Sequence, residues 1–303
     1  MKITIKVLFL VLLPGWILAR DWDLRFSHLS TAEGLSRSHV TCISQDEQGF
    51  MWVGTSNGLN RYDGYEFKIY TYHPGDPYSI SHNYISSICQ VRNGKMWVGT
   101  SDGLNVYDHE LNRFHTYRHD KTDSASICDD QIQAIHQDRR GRLWIGTRNG
   151  GLDRYDADRE RFIHYHSRDG QSGLSGNDIR VLYEDSRGRL WAGLWNGNVH
   201  IYDEQSDIFT LFYNGELTQS GITAIVEFRG FMWIGTQSDG LYQVSANGRR
   251  IVHHQNTAQR SSLSSNSVYA LMPDENGLLW VGTENGGLDI YDIQINVFYH
   301  HTV

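Results

Sequence analysis

The chain has 303 residues, of which 12% are aromatic, 30 are glycine and only 4 are proline. That balance suits many short strands joined by glycine turns better than a helical bundle or a disordered chain. The formal charge is −8, from 27 basic and 35 acidic residues without a basic run, which excludes the electrostatic footprint of a nucleic-acid binder.

The N-terminus places Lys2 and Lys6 before an apolar stretch at 7–18, followed by Ala19. A basic start, a short hydrophobic region and a small residue at its end predict a secretory signal over 1–19, cleaved after Ala19. The stretch is shorter than the roughly 20 apolar residues a spanning helix needs. The expected location is therefore the periplasm or cell envelope, with the domain proper at 20–303. Cys42, Cys89 and Cys128 are an odd number for an exported chain and are expected to be buried free thiols.

From residue 40 onward the chain repeats itself. Trp-Val-Gly-Thr begins at Trp52, Trp97 and Trp280, Trp-Ile-Gly-Thr at Trp144 and Trp233, and Trp-Ala-Gly-Leu at Trp191, with spacings of 45, 47, 47, 42 and 47 residues in chain order. Apolar segments at 40–43, 85–88, 132–135, 179–182, 222–225 and 268–271 precede each Trp and have the length of strands. Between segment and Trp lie Asp46 and Gly49, Asp138 and Gly141, Asp185 and Gly188, and Asp274 and Gly277. An Asp that bonds the turn backbone and a Gly that supplies positive φ make a hairpin.

A second glycine turn leads to Gly-Leu-Asn/Asp-x-Tyr-Asp at Gly58, Gly103, Gly151 and Gly287, a third strand, and segments beginning near Phe67, Phe114, Phe162, Phe209, Ile251 and Phe298 supply a fourth. Four strands per unit at this period predict an all-β fold, a β-propeller of four-stranded antiparallel blades with six repeats. Segment 26–29 reads as a spare outer strand, which suggests an incomplete seven-bladed ring.

Positions shared by all units serve the blade, and positions where the units disagree on one face can serve a ligand. Trp, Gly, Leu and Tyr-Asp fall in the first group. The residue before each first strand varies, with His39, Tyr84, Gln131 and Asp178 against the small Gly221 and Ser267. Two positions later Gln133, Arg180 and Tyr269 break a Thr/Ser pattern. After the Trp-Gly motif stand Arg148, Trp195 and Glu284. These ten residues are the expected axial binding site, an aromatic platform with polar neighbours suited to a saccharide or another small polar ligand. The strand pair His164 and His166 is read as surface histidine, and neither a metal nor a cofactor is expected.

The segments Phe26-Ser27-His28-Leu29, Glu33-Gly34-Leu35-Ser36, Trp52-Val53-Gly54-Thr55 and Asn57-Gly58-Leu59-Asn60-Arg61-Tyr62-Asp63 resemble the two-component regulator propeller repeat of bacterial sensor proteins. The similarity runs from 23 to 303 and is weakest in the fourth and fifth units. It implies an extracytoplasmic sensory propeller, normally continued into a sensor kinase or diguanylate cyclase whose output parts are not expected within this chain. A homodimer is a further expectation, and no enzymatic activity is expected. A propeller-type lyase or hydrolase and a protein-binding scaffold are the alternatives.

Overall fold

The computed structural model describes residues 26–167, 173–213 and 217–301; the expected signal segment lies outside them. They form six four-stranded antiparallel sheets, each with its strands in chain order. Blade one is Val40–Gln45, Met51–Thr55, Gly58–Tyr62 and Phe67–Tyr70. The first strands of blades two to six are Ile85–Gln90, Ile132–Gln137, Ile179–Glu184, Ile222–Phe228 and Val268–Pro273, and they pack side by side around the axis.

The repeated residues explain the blade. The Asp46 carboxylate accepts the Gln48 and Phe50 amides, closing the first hairpin, and its other oxygen accepts Trp52 Nε1 at 2.7 Å. Asp138, Asp185 and Asp274 hold Trp144, Trp191 and Trp280 the same way. A buried indole N–H needs such an acceptor, so turn and Trp are specified together. Thr55 Oγ1 donates to the Gly58 carbonyl and tightens the next turn, a bond repeated at Thr100, Thr147, Thr236 and Thr283.

The Trp-x-Gly glycine is where one blade meets the next. A methyl group on Gly54 would come within 2.8 Å of Ile85 Cγ2, and the same encounter recurs between Gly99 and Ile132, Gly146 and Ile179, Gly193 and Ile222, and Gly235 and Val268. Gly282 of blade six meets only Ala270 of its own sheet. On the other side of that seam Val40 and Ile43 are 38% and 61% exposed, whereas Ile135 and Ile225, the equivalents of Ile43 in blades three and five, are at most 8% exposed. Among the described residues the series of packed first strands therefore leaves a seam between blades six and one.

Residues 26–29 are not a strand. An outer strand needs a third strand beside it to complete its ladder, and all six third strands already have their own fourth. The chain instead enters blade one through a single helical turn, Thr31–Glu33, capped reciprocally by Ser30 and Glu33. The three cysteines are free and partly buried.

Candidate functional site

Every first strand carries a bulge at the same place, between Val40 and Cys42, Ile85 and Ser87, Ile132 and Ala134, Ile179 and Val181, Ile222 and Ala224, and Val268 and Ala270. A bulge takes one residue out of the ladder and re-aims its side chain. The residues released are Thr41, Ser86, Gln133, Arg180, Thr223 and Tyr269, the positions at which the repeats disagree. Where the residue is Thr, its hydroxyl staples neighbouring blades: Thr41 donates to the Ile85 carbonyl at 2.6 Å, and Thr223 to that of Val268. Blades three and four give up this staple for longer polar side chains.

Those side chains converge. Arg180 pairs with Asp178, its Nε 2.7 Å from one carboxylate oxygen and its Nη2 donating to the other at 2.8 Å, and it reaches Gln133 of the neighbouring blade at 3.4 Å. Its guanidinium sits 4.2 Å from the centre of the Trp195 ring, a cation–π contact, and Arg148 bonds Gln131 at 3.3 Å. Trp195 is 39% exposed, but Arg180 covers it and the Gly221 backbone lies against the same ring. The platform expected from sequence is thus already occupied by a protein cation, and a ligand stacking there must displace Arg180. His39 and Tyr84 stand on blades one and two, and Tyr269 and Glu284 on blade six beside the seam; none has a contact with the Arg180 cluster among the described interactions.

Beneath this end, the loop entering each blade is tied down. The Ser36 amide donates to Asn60 and its hydroxyl meets that of Thr55; Ser81, Thr100 and Asn105 repeat the arrangement, as do Ser264, Thr283 and Asp289. In blade three the set is Cys128, Thr147 and Asp153, joined by His164 at 2.6 Å from Asp153. Ligand atoms of Cys128, Asp153 and His164 lie within 4.8 Å of one another, as a metal site would require. Each is already engaged, however: His164 bonds Asp153 through one nitrogen and the Ser124 carbonyl through the other, and burial with Asp153 nearby pushes the thiol well above its usual range. Blade six repeats the Asp–His pair as Asp289 and His300 with Ser264 in place of the cysteine, so the cluster is blade construction.

Five segments, 34–57, 79–102, 126–149, 173–196 and 262–285, match the two component regulator propeller family. The chain carries two-component regulator propeller repeats. Each matched segment runs from the tied-down entering loop through the Trp-Gly motif to the turn that bears Trp195 in blade four. Blade five falls outside the match; there Trp233 Nε1 donates to the Phe228 carbonyl in place of an Asp. A histidine kinase, P4, of Formosa agariphila is 45% identical over 62 residues, 20% of this chain and 4% of that protein.

Among solved structures, the extracellular domain assigned to the hybrid two component system BT3049 of B. thetaiotaomicron is 26% identical with a TM-score of 0.77, covering 91% of this chain and 37% of that one. The extracellular domain of BT4673 from the same organism is 25% identical with a TM-score of 0.69, covering 89% and 34%. The chain thus spans about a third of the length of these domains. Virginiamycin B lyase of Staphylococcus aureus shares the fold at 15% identity and a TM-score of 0.66.

Proposed function

We propose that this propeller is the ligand-sensing module of an extracytoplasmic signalling system and that it binds a small polar ligand, such as a saccharide, at the axial end of blades three and four. The observation that carries the reading is the bulge position. Thr there staples adjacent blades, whereas Gln133 and Arg180 exchange that staple for a cluster with Asp178 and Trp195. Likeness to extracellular domains of two-component systems supports the sensor role. An exported chain at the cell envelope fits it. On this reading the two bare faces at the seam are one place in the ring that a further blade fills.

A ligand bound only by the folded state stabilises it by RT ln(1 + L/Kd), where L is the free ligand concentration, so the melting temperature rises once L exceeds the dissociation constant. A thermal-shift screen against neutral and acidic saccharides is expected to give a rise that grows with the logarithm of ligand concentration, with no product detected by mass spectrometry. Arg180→Ala should change the affinity of the best hit at least tenfold, upward for a ligand that stacks on the uncovered Trp195 ring and downward for one held by the guanidinium. Unchanged affinity in that variant would remove the axial site, and turnover of the hit would remove the sensor reading in favour of an enzyme.

A further inference from the structure

The opposite end of the propeller holds a cleft of about 750 Å³ between blades two and three, with Trp97 on its wall. Its origin lies in what blade two lacks. In blade three the Trp144 ring is flanked by two guanidiniums, those of Arg142 and Arg154, each 5.5 Å from the ring centre. Arg154 then donates to the Tyr202 hydroxyl and to Asp207, both at 3.0 Å, and Tyr165 donates to the same carboxylate. A cation is thus held by an indole face, two phenols and a carboxylate. In blade one Arg61 stands in the Arg154 position, 5.9 Å from the Trp52 ring.

Blade two keeps the receptor and loses the cation. Tyr117 stacks on Trp97 at 5.7 Å and Tyr155 meets it edge-on at 5.3 Å, matching Tyr165 and Tyr202 against Trp144. The two hydroxyls lie 3.1 Å apart. Glu160 takes the position of Asp207, five residues beyond the blade's Tyr and in the same left-handed conformation, with φ of 49° against 54°. Val106, however, stands where Arg61 and Arg154 stand, and Lys95 where Arg142 stands. Val91 replaces the Asp that anchors Arg142 and accepts the indole N–H. Among the described residues Trp97 Nε1 has no acceptor, no guanidinium covers its ring, and no cation pairs with Glu160.

We infer that this cleft binds a small guanidinium-bearing molecule, whose head group takes the place that Arg154 fills in blade three. Trp97 supplies the ring face, Glu160 the carboxylate, and Tyr117 and Tyr155 the hydroxyls. Glu47 and Glu110 add carboxylates to the walls and favour a ligand without an acid group of its own. Lys95, the wall's own cation, lacks the carboxylate that holds Arg142 in place.

Agmatine is the probe, and the control is N-carbamoylputrescine, which keeps the ammonium end and replaces the guanidinium with an uncharged urea. Calorimetric titration into the full chain at moderate salt is expected to show one saturable agmatine site and at least tenfold weaker binding of the isostere. Val106→Arg rebuilds the blade-three arrangement and should abolish binding, with circular dichroism and melting temperature showing that the variant folds. Should it not fold, Glu160→Gln decides, with at least a tenfold loss expected. Arg180→Ala, at the other end, should leave agmatine binding unchanged. The proposal is overturned if agmatine gives no saturable site, if the isostere binds equally, or if the deciding variant binds as the parent does.

Discussion

The interface between blades three and four and the seam between blades six and one present the same residues with opposite outcomes. At the first, Gly146 receives Ile179 and Trp144 is wholly buried. At the second, Gly282 receives nothing from another blade, Trp280 is only partly buried, and Val40 and Ile43 lie open. The motif alone therefore does not make a core. A blade's ladder hydrogen bonds are internal, but its apolar energy is realised only when the next blade arrives, as in other repeat folds where stability is a sum of units and nearest-neighbour contacts.

The largest test of this contrast uses the two tryptophans. Trp144→Ala should cost about 3–5 kcal/mol, the range for removing a fully buried aromatic, while Trp280→Ala should cost about half that or less. Denaturant titration of both variants measures the difference. Equal losses would mean that the seam is packed in solution.

The glycines give a smaller effect of the same kind. Gly193 has an ordinary backbone conformation, so alanine there is opposed by packing alone: Ile222 Cγ2 would lie 2.6 Å and Ile225 Cδ1 3.1 Å from the new methyl. Gly193→Ala should destabilise by about 1–3 kcal/mol through overpacking. Gly282→Ala faces only Ala270 at 3.3 Å and should fall within about 0.5 kcal/mol of the parent, helped by the lower backbone entropy of alanine.

Much of this fold was legible because its physics is local and repeated. Trp, the turn Asp and the turn Gly specify one hairpin, and six copies at a near-constant period leave little choice of architecture. The structure adds why the first strands carry small residues at Cys42, Ser87, Ala134, Ala224 and Ala270: each lies directly across the ladder from a Trp-x-Gly glycine. The site was legible only in part. Disagreement among repeats pointed to Gln133, Asp178, Arg180 and Trp195, but residue types alone could not show that Arg180 already lies on Trp195. The Trp97 cleft escaped because its signal is a loss, Val91 and Val106 for Asp and Arg, and apolar residues in a strand or at its end look like ordinary core until their counterparts are seen holding a cation.

The smallest effect concerns proton uptake at a packed interface. His254 stacks on Trp233 at 5.6 Å and is covered by Tyr291 and Phe298 of blade six; burial first, and the nearby His253 second, push its pKa down to about 4. The unfolded chain takes up a proton near pH 6.5, so between there and about pH 4 it binds more protons than the native state. Stability contributed by the neutral imidazole is therefore full above pH 6.5 and lost as pH falls through that window. Partial exposure screens the effect, which should amount to roughly 1–2 kcal/mol. Replacing His254 with Phe, which keeps the stack and removes the proton, should flatten the pH dependence of the melting temperature between pH 6.5 and 4. An unaltered slope would show that water reaches this imidazole freely, and that blades five and six are no better sealed than the seam.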